Sequence, residues 1–462
     1  MKTMLKVLSA VALTSVMVLP VLADDATTDS TTDAKDQKDL KKVIEDQGIN
    51  YVETAQKGIT LSGYVDVSYT EQFAGRGTPS SPSGSTQASL HEFDQNNDNF
   101  NVQAVKLALE KALPDKNEWA AGFRVDAILG SDAKELTDSA FGSTSSSGGT
   151  TSSTSYPIAL EQALVKFRIP VGNGLDIYAG KFVTFLGYEV IESPANPNFS
   201  RGLLFTNAIP LTNTGVYADY KFNDTLEAKF GVVDGSNSSV SQGSADPMAS
   251  YGYGGKAITG QLNINAPGKN ANITQSFIYA PDSTSASGTP TIDNGPLFIY
   301  DIWGNWNPTF VKDSALTLGF NVDFGYNGAS GIPTDVGAGT PGVHDSNTWY
   351  GVALYSIYKF NKVFSLAGRA EYLHTDAAYF PQYGPNTTDY TGTTPGAPIF
   401  TPAQDDFSYT LTASFNIWDN LLTRAEYRID DLSGSSTVSA GGQPGTSTKI
   451  QNEVSLEAVY SF

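Results

Sequence analysis

Three histidines, His91, His344 and His374, and no cysteine are the whole supply of imidazole and thiol in 462 residues. Without thiols there is no disulfide framework, thiolate nucleophile, iron–sulfur cluster or Cys-ligated zinc. Three scattered imidazoles are a poor source of triads or metal sites. Carboxylates are plentiful, and Glu453 and Glu457 have the look of a general acid/base pair, yet alternating acids are also what one polar face of a strand produces. Asp94-Gln95-Asn96-Asn97-Asp98-Asn99 imitates the opening of a calcium loop, but its sixth position is Asn99 where the turn needs Gly, and its twelfth is Val105 where the loop needs Glu. Gly252-Tyr253-Gly254-Gly255-Lys256 lacks the upstream Gly of a phosphate loop and reads as a turn. No Gly-x-Ser-x-Gly elbow occurs. These residues point away from an enzyme and imply no cofactor and no metal.

The composition narrows the class. Charged residues make up 16% of the chain, against roughly 25% in soluble domains, and Tyr (23) and Phe (24) carry much of the apolar mass. The balance of 28 basic to 48 acidic residues gives a formal charge of −20, which excludes a nucleic-acid partner because such binding needs clustered cations. Residues 1–23 read as a secretory signal peptide: Lys2 and Lys6, an apolar run, then Val21-Leu22-Ala23 before the expected cleavage. Its removal takes the charge from −20 to −22. No later stretch offers the ~18 apolar residues of a spanning helix. Residues 24–57 are expected to be a Thr/Asp-rich linker followed by a short helix at Lys35 to Gln47, where Leu40, Val43 and Ile44 share a face.

From Ile59 the pattern has period two. Ile59, Leu61, Val65, Val67 and Tyr69 face one way and Thr60, Ser62, Asp66 and Ser68 the other; near the end Val454, Leu456, Ala458, Tyr460 and Phe462 oppose Glu453, Ser455 and Glu457. Sixteen such strands can be placed, at 59–73, 100–113, 117–130, 157–169, 174–183, 213–222, 225–235, 253–265, 271–281, 296–307, 314–327, 347–360, 362–376, 405–417, 420–430 and 448–461. Seven short turns, such as Asn223-Asp224, Asn361 and Trp418-Asp419, alternate with eight long loops rich in Gly, Ser, Thr and Pro. That asymmetry, together with a pure apolar face and a charged opposite face, predicts an all-β fold. It is a transmembrane antiparallel up-and-down β-barrel with short turns on one side and long external loops on the other. The charged face, including Lys106, Arg124, Asp126, Arg369, Glu371, Arg424, Glu426 and Arg428, then lines a water-filled lumen, and aromatics such as Tyr69, Tyr358, Phe360 and Trp418 form interfacial girdles.

The closing Ala458-Val459-Tyr460-Ser461-Phe462 resembles the terminal signature of Gram-negative outer-membrane barrels. Gly180-Lys181-Phe182-Val183-Thr184-Phe185-Leu186-Gly187-Tyr188-Glu189, then Asn196 to Arg201, then Ile209-Pro210-Leu211-Thr212-Asn213-Thr214-Gly215 resemble the β-barrel porins of the OmpL-like type, as do Ala425 to Arg428 and the near-copy Arg369 to Tyr372. Asn213 stands where that family's pattern often has His. The resemblance spans Ile59 to Phe462 and implies an outer-membrane porin for passive diffusion of small hydrophilic solutes and ions, with membrane lipids as its surroundings and a trimer as its plausible assembly. It further implies that the third loop, about 184–212, folds into the lumen and sets the constriction. Glu189, Glu192, Asn196, Asn198 and Arg201 are its candidate residues, with Glu189, Glu192 and Arg201 expected to face the pore opposite Arg124, Arg369, Arg424 and Arg428. Two other readings stand beside it. Tyr64, Tyr217 and Trp303 could form a sugar slide in a carbohydrate-selective porin, or the barrel could be a non-conducting adhesin acting through its loops.

Overall fold

The computed structural model describes residues 58–72, 93–94, 98–136, 158–235, 256–281, 296–330, 345–375, 404–431 and 450–462. The signal segment, the linker and the Lys35 to Gln47 helix lie outside the described residues, as do His91, His344, Gln95 to Asn97 of the calcium-loop imitation and the tips of seven of the eight long loops.

Sixteen strands close into one antiparallel barrel, each paired with its neighbours in sequence. They are β1 (Ile59–Gln72), β2 (Asn99–Lys111), β3 (Ala120–Leu129), β4 (Ile158–Ile169), β5 (Leu175–Val183), β6 (Thr212–Lys221), β7 (Leu226–Val233) and β8 (Ala257–Asn265), followed by β9 (Ala271–Ala280), β10 (Leu297–Trp306), β11 (Leu316–Ser330), β12 (Asp345–Lys359), β13 (Phe364–Thr375), β14 (Gln404–Trp418), β15 (Leu421–Asp431) and β16 (Ile450–Ser461). Closure joins β1 to β16 in the register Tyr64↔Ser461 through Gln72↔Glu453. Phe462 and Gly63 exchange backbone hydrogen bonds of 2.9 and 3.0 Å at the seam. Closure leaves no open edge, the condition for a sheet to sit in lipid with every backbone group paired.

The short turns are written into the sequence by asparagine. The Asn223 carboxamide oxygen accepts from the backbone N–H of Thr225 (2.8 Å) and Leu226 (2.9 Å), and Asn361 does the same for Val363 and Phe364. Such side-chain turns reverse the chain in two to four residues. Alternation then sorts the faces. Val65, Val67, Leu107, Leu109, Val165, Phe167, Phe230, Leu354 and Leu411 are exposed on the outside, an apolar band that water would not tolerate and lipid requires. Aromatics rim it: Tyr358 meets Phe360 edge-on and Phe360, Phe364 and Phe415 stack in succession near the short turns, while Tyr350, Tyr372 and Phe407 form tilted contacts near the long loops.

β4 breaks the alternation at a point that matters for the interior. Asp126 pairs with Gln162 but Ala127 pairs with Leu160, so Glu161 is an extra residue in a β-bulge. Glu161 and Gln162 are consequently both buried toward the interior, although they are adjacent in sequence.

Candidate functional site

The chain between β5 and β6, residues 184–211, lies inside the barrel. Its apolar residues Phe185, Leu186, Ile191, Leu203, Leu204, Phe205, Ile209 and Leu211 are all buried, in one cluster with lumen-facing Tyr64, Phe182, Trp349 and Tyr355. The clamp starts at the neck, where Thr184 N–H donates to the Leu211 carbonyl (3.0 Å). From there the loop is tied to the wall almost strand by strand.

Over β8 to β11 the ties are neutral. The Phe185 carbonyl accepts from Gln261 and Ser276 (both 2.8 Å), Tyr188 N–H donates to Asn321 (3.0 Å), and the Tyr188 hydroxyl donates to Asn305 (2.8 Å). The Tyr188 ring stacks on Tyr355 at 4.0 Å and meets Trp303 edge-on. Gly187 adopts φ +97°, a corner that only glycine takes without strain.

Over β13 to β16 the ties are ionic. Arg369 Nη1 donates to Glu189 Oε1 and to the Ser200 carbonyl (both 2.6 Å), while its Nε lies 2.9 Å from Glu371. Glu189 Oε2 accepts from Gly202 N–H (2.6 Å), so one side chain fastens both limbs of the loop. Glu426 accepts the backbone N–H groups of Phe199 (2.7 Å) and Ser200 (2.9 Å). Arg424 donates to the Ser193 carbonyl (3.1 Å), to Glu457 (3.0 Å) and to the Asn196 carbonyl; Ser193 in turn donates to Glu457. Arg428 donates to the Arg201 carbonyl (2.8 Å) and to Asp430 (2.9 Å). Asn198 donates to Thr412 (2.6 Å), whereas Asn196 folds back on Val190 and ties the loop to itself. A buried guanidinium needs acceptors for its donors, and loop carbonyls accept from each of Arg369, Arg424 and Arg428.

Over β2 to β4 a third group gathers. Lys106 contacts Glu192 of the loop, Glu161 (2.5 Å) and Asp126 (3.2 Å), and Arg124 holds Asp126 through its Nε and Nη2 at 2.6–3.0 Å. Lys166 bridges to Glu110 closer to the short turns.

The loop and wall residues expected to form the constriction therefore lie on the loop and on the lumen face, but their arrangement differs from the expected one. Glu189, Glu192 and Arg201 do not face a passage; they are 3%, 6% and 2% exposed. Glu189 bonds directly to Arg369, Glu192 turns to Lys106 rather than to an arginine, and Arg201 turns away from the wall cations toward Asp132 (3.6 Å) and the Phe93 ring (4.7 Å). The reason is physical. Once the apolar side chains press the loop onto the wall, a carboxylate left in that low-dielectric seam must find a cation. The loop residues that keep accessible surface are instead Gly187, Tyr188, Val190, Pro194, Ala195 and Pro197, with Thr184 at the neck. Tyr64, Tyr217 and Trp303 stand on β1, β6 and β10, separated around the wall. Of the three, only Tyr217 retains appreciable surface, stacked on Tyr178 at 4.5 Å.

Several contributors escaped the sequence reading. Glu161 was hidden by the bulge, although the pair Glu161-Gln162 marks where the alternation changes phase. Phe93 and the 3₁₀ turn Ser131–Leu136 bring the first and second loops against the third: Phe93 packs on Phe205 (5.9 Å), and Ala133 and Asp132 are buried. Burial, with Glu457 and Asp94 near, pushes Asp132 up to about 7 against the pull of Arg201.

The comparisons with known proteins follow this geometry. Residues 58–462 match the family model described as "Putative beta-barrel porin-2, OmpL-like". The chain belongs to this family of outer-membrane β-barrel porins. Among solved structures, it is similar to OprB of Pseudomonas putida (12% identity, TM-score 0.52, covering 90% of this chain and 97% of that one). It is also similar to the outer membrane channel DcaP of Acinetobacter baumannii and to OmpF of Salmonella typhi, each at 11% identity and TM-score 0.50, covering 87% of this chain and 97% of the other. At such identities the likeness is one of fold. A comparison with curated proteins finds no match. The porin barrel resides in the outer membrane and forms a channel across it.

Proposed function

We propose that the channel passes small hydrophilic solutes and ions down their gradients, and that residues 184–211 narrow it. The observation that carries this reading is the continuous anchoring of the loop, from Phe185 on β8 and β9 through Glu189 on β13 to Ser193 on β16 and Glu192 on β2. A segment held at so many points around the wall is a fixed obstruction rather than a swinging strap, so it sets a size limit. Its accessible face of Tyr188, Val190, Pro194, Ala195 and Pro197 carries no charge; charge discrimination falls to the wall. We assign no catalytic role, and we read residues 1–23 as a signal peptide, 24–57 as a segment outside the barrel, and a trimer as the assembly.

Planar-bilayer recording of the purified barrel beside a deletion of residues 189–205 tests the reading. The deletion should raise the unit conductance several-fold and admit larger sugars in liposome swelling. Equal conductance in the two proteins would overturn the constriction role. A second reading, a closed barrel that acts through its loops, draws support from the packing of three loops around Arg201. It predicts no stepwise current from the intact chain.

A further inference from the structure

The cluster over β2 to β4 does more than hold the loop. One oxygen from each of Asp126, Glu161 and Glu192 lies within 4.8 Å of the others, and all three residues are buried. That spacing suits a calcium ion, whose ligand distances are about 2.3–2.6 Å. A cation already occupies the place: the Lys106 ammonium touches Glu192 and lies 2.5 Å from Glu161 and 3.2 Å from Asp126. Further donors remain unused. Glu161 Oε1 and Glu192 Oε2 accept no hydrogen bond, and the buried Tyr64 hydroxyl, which has Glu192 and Glu161 among its charged neighbours, has no partner either.

The charges decide what this site is. Arg124 compensates Asp126, so three ionised carboxylates retain a charge of about −2, and Lys106 offsets only one of the two. Such a cage is matched in charge to a divalent ion and filled by a monovalent one. We propose that Asp126, Glu161, Glu192 and Tyr64 form a divalent-cation site in which the chain's own Lys106 is the resident. The tethered ammonium spares the channel from trapping calcium while it binds Glu192 to the wall. Glu161 reaches the site only because the bulge turns it inward.

The test is a calcium chloride titration of the full mature barrel in detergent, followed calorimetrically, with bilayer currents as a second readout. Only the second rests on the channel reading, so failure to conduct and failure to bind are distinguishable. Lys106→Met should bind one calcium ion per barrel, at least about tenfold more tightly than wild type, with a dissociation constant on the order of 10⁻⁴–10⁻³ M. Glu161→Gln added to Lys106→Met should abolish that binding, and millimolar calcium should reduce the current of Lys106→Met alone. Binding by Lys106→Met no tighter than wild type, or binding that survives Glu161→Gln, would overturn the proposal. So would calcium binding by the wild-type barrel that is as tight as that expected of Lys106→Met and that Glu161→Gln removes, an arm that holds even if the lysine variant does not fold.

Discussion

Arg369 is the residue on which most of the loop's ionic ties converge. Its guanidinium reaches Glu189, both polar groups of Ser200, Thr410 and Glu371. Replacing it with Met keeps the bulk but leaves Glu189 and Glu371 buried without the cation they contact. Removing one partner of a buried pair costs about 3–5 kcal/mol. Arg369→Met should therefore lower the urea midpoint of the refolded barrel by that order and make single-channel currents noisier as the loop loosens. Arg369→Lys should recover part of the stability, since a lysine restores the charge but cannot reproduce the forked contacts. The residue type was legible in the sequence: Arg369 and Arg424 open the same Arg-Ala-Glu-Tyr at 369–372 and 424–427. What alternation could not give was the partner of each. Lumen charges looked like opposed banks because period two records a face, and a face says nothing about distance across the barrel.

At the scale of elements, the loop is positioned by strands and by what the strands leave out. β11 presents Gly325 where a methyl group would lie only 1.8–2.4 Å from the Trp349 indole of β12. That gap seats the indole, which donates Nε1–H to the Ala208 carbonyl (3.1 Å) just past the short helix α1 (Leu203–Asn207). Gly325→Ala should displace the indole and release the end of the loop, at a cost of about 1–3 kcal/mol for overpacking. Thermal unfolding should show the loss, and in a Trp349→Phe background the same substitution should cost much less, because the two residues share one contact. The strands themselves were readable, with β8 beginning at Ala257 rather than 253 and β3 at Ala120 rather than 117 among the larger differences, since one side of each must meet lipid and the other water. The bulge was not. It obeys the need to bring Glu161 to Lys106, a requirement that lives on β2 and not within β4.

At the scale of the whole molecule, the described lumen is richer in carboxylates than in cations. Asp66, Asp301, Asp323 and Asp406 face inward but are at most 1% exposed, so they bring no charge to the passage. Nearer the short turns, where the wall keeps accessible surface, Asp219 and Glu227 flank Lys229, 3.8 Å from Glu227, while Lys221, opposite Glu227 in register, is bridged to Asp224. A low-dielectric wall focuses that excess into the aqueous passage. The channel should therefore prefer cations, a reversal potential of cationic sign in a potassium chloride gradient being the measurement. The preference should shrink in Asp219→Asn with Glu227→Gln, and also at 1 M salt, where screening acts over about 3 Å against about 10 Å at 0.1 M. Clear anion selectivity of the wild-type barrel would refute this.

The sequence by itself determined the number of strands, the side each residue faces, the alternation of tight turns with long loops, and the loop that carries the family's motif. All of these are local consequences of a wall one residue thick between lipid and water. Only the tertiary structure decided which charges meet. Glu189 finds Arg369, Ser193 finds Glu457 and Glu192 finds Lys106 across separations of 180, 264 and 86 residues. Such pairs are set by the closure of the barrel and by the apolar side chains that seat the loop within it. Their outcome, a buried ionic seam and an uncharged accessible face, follows from desolvation at that seam, a quantity that exists only once the loop is inside.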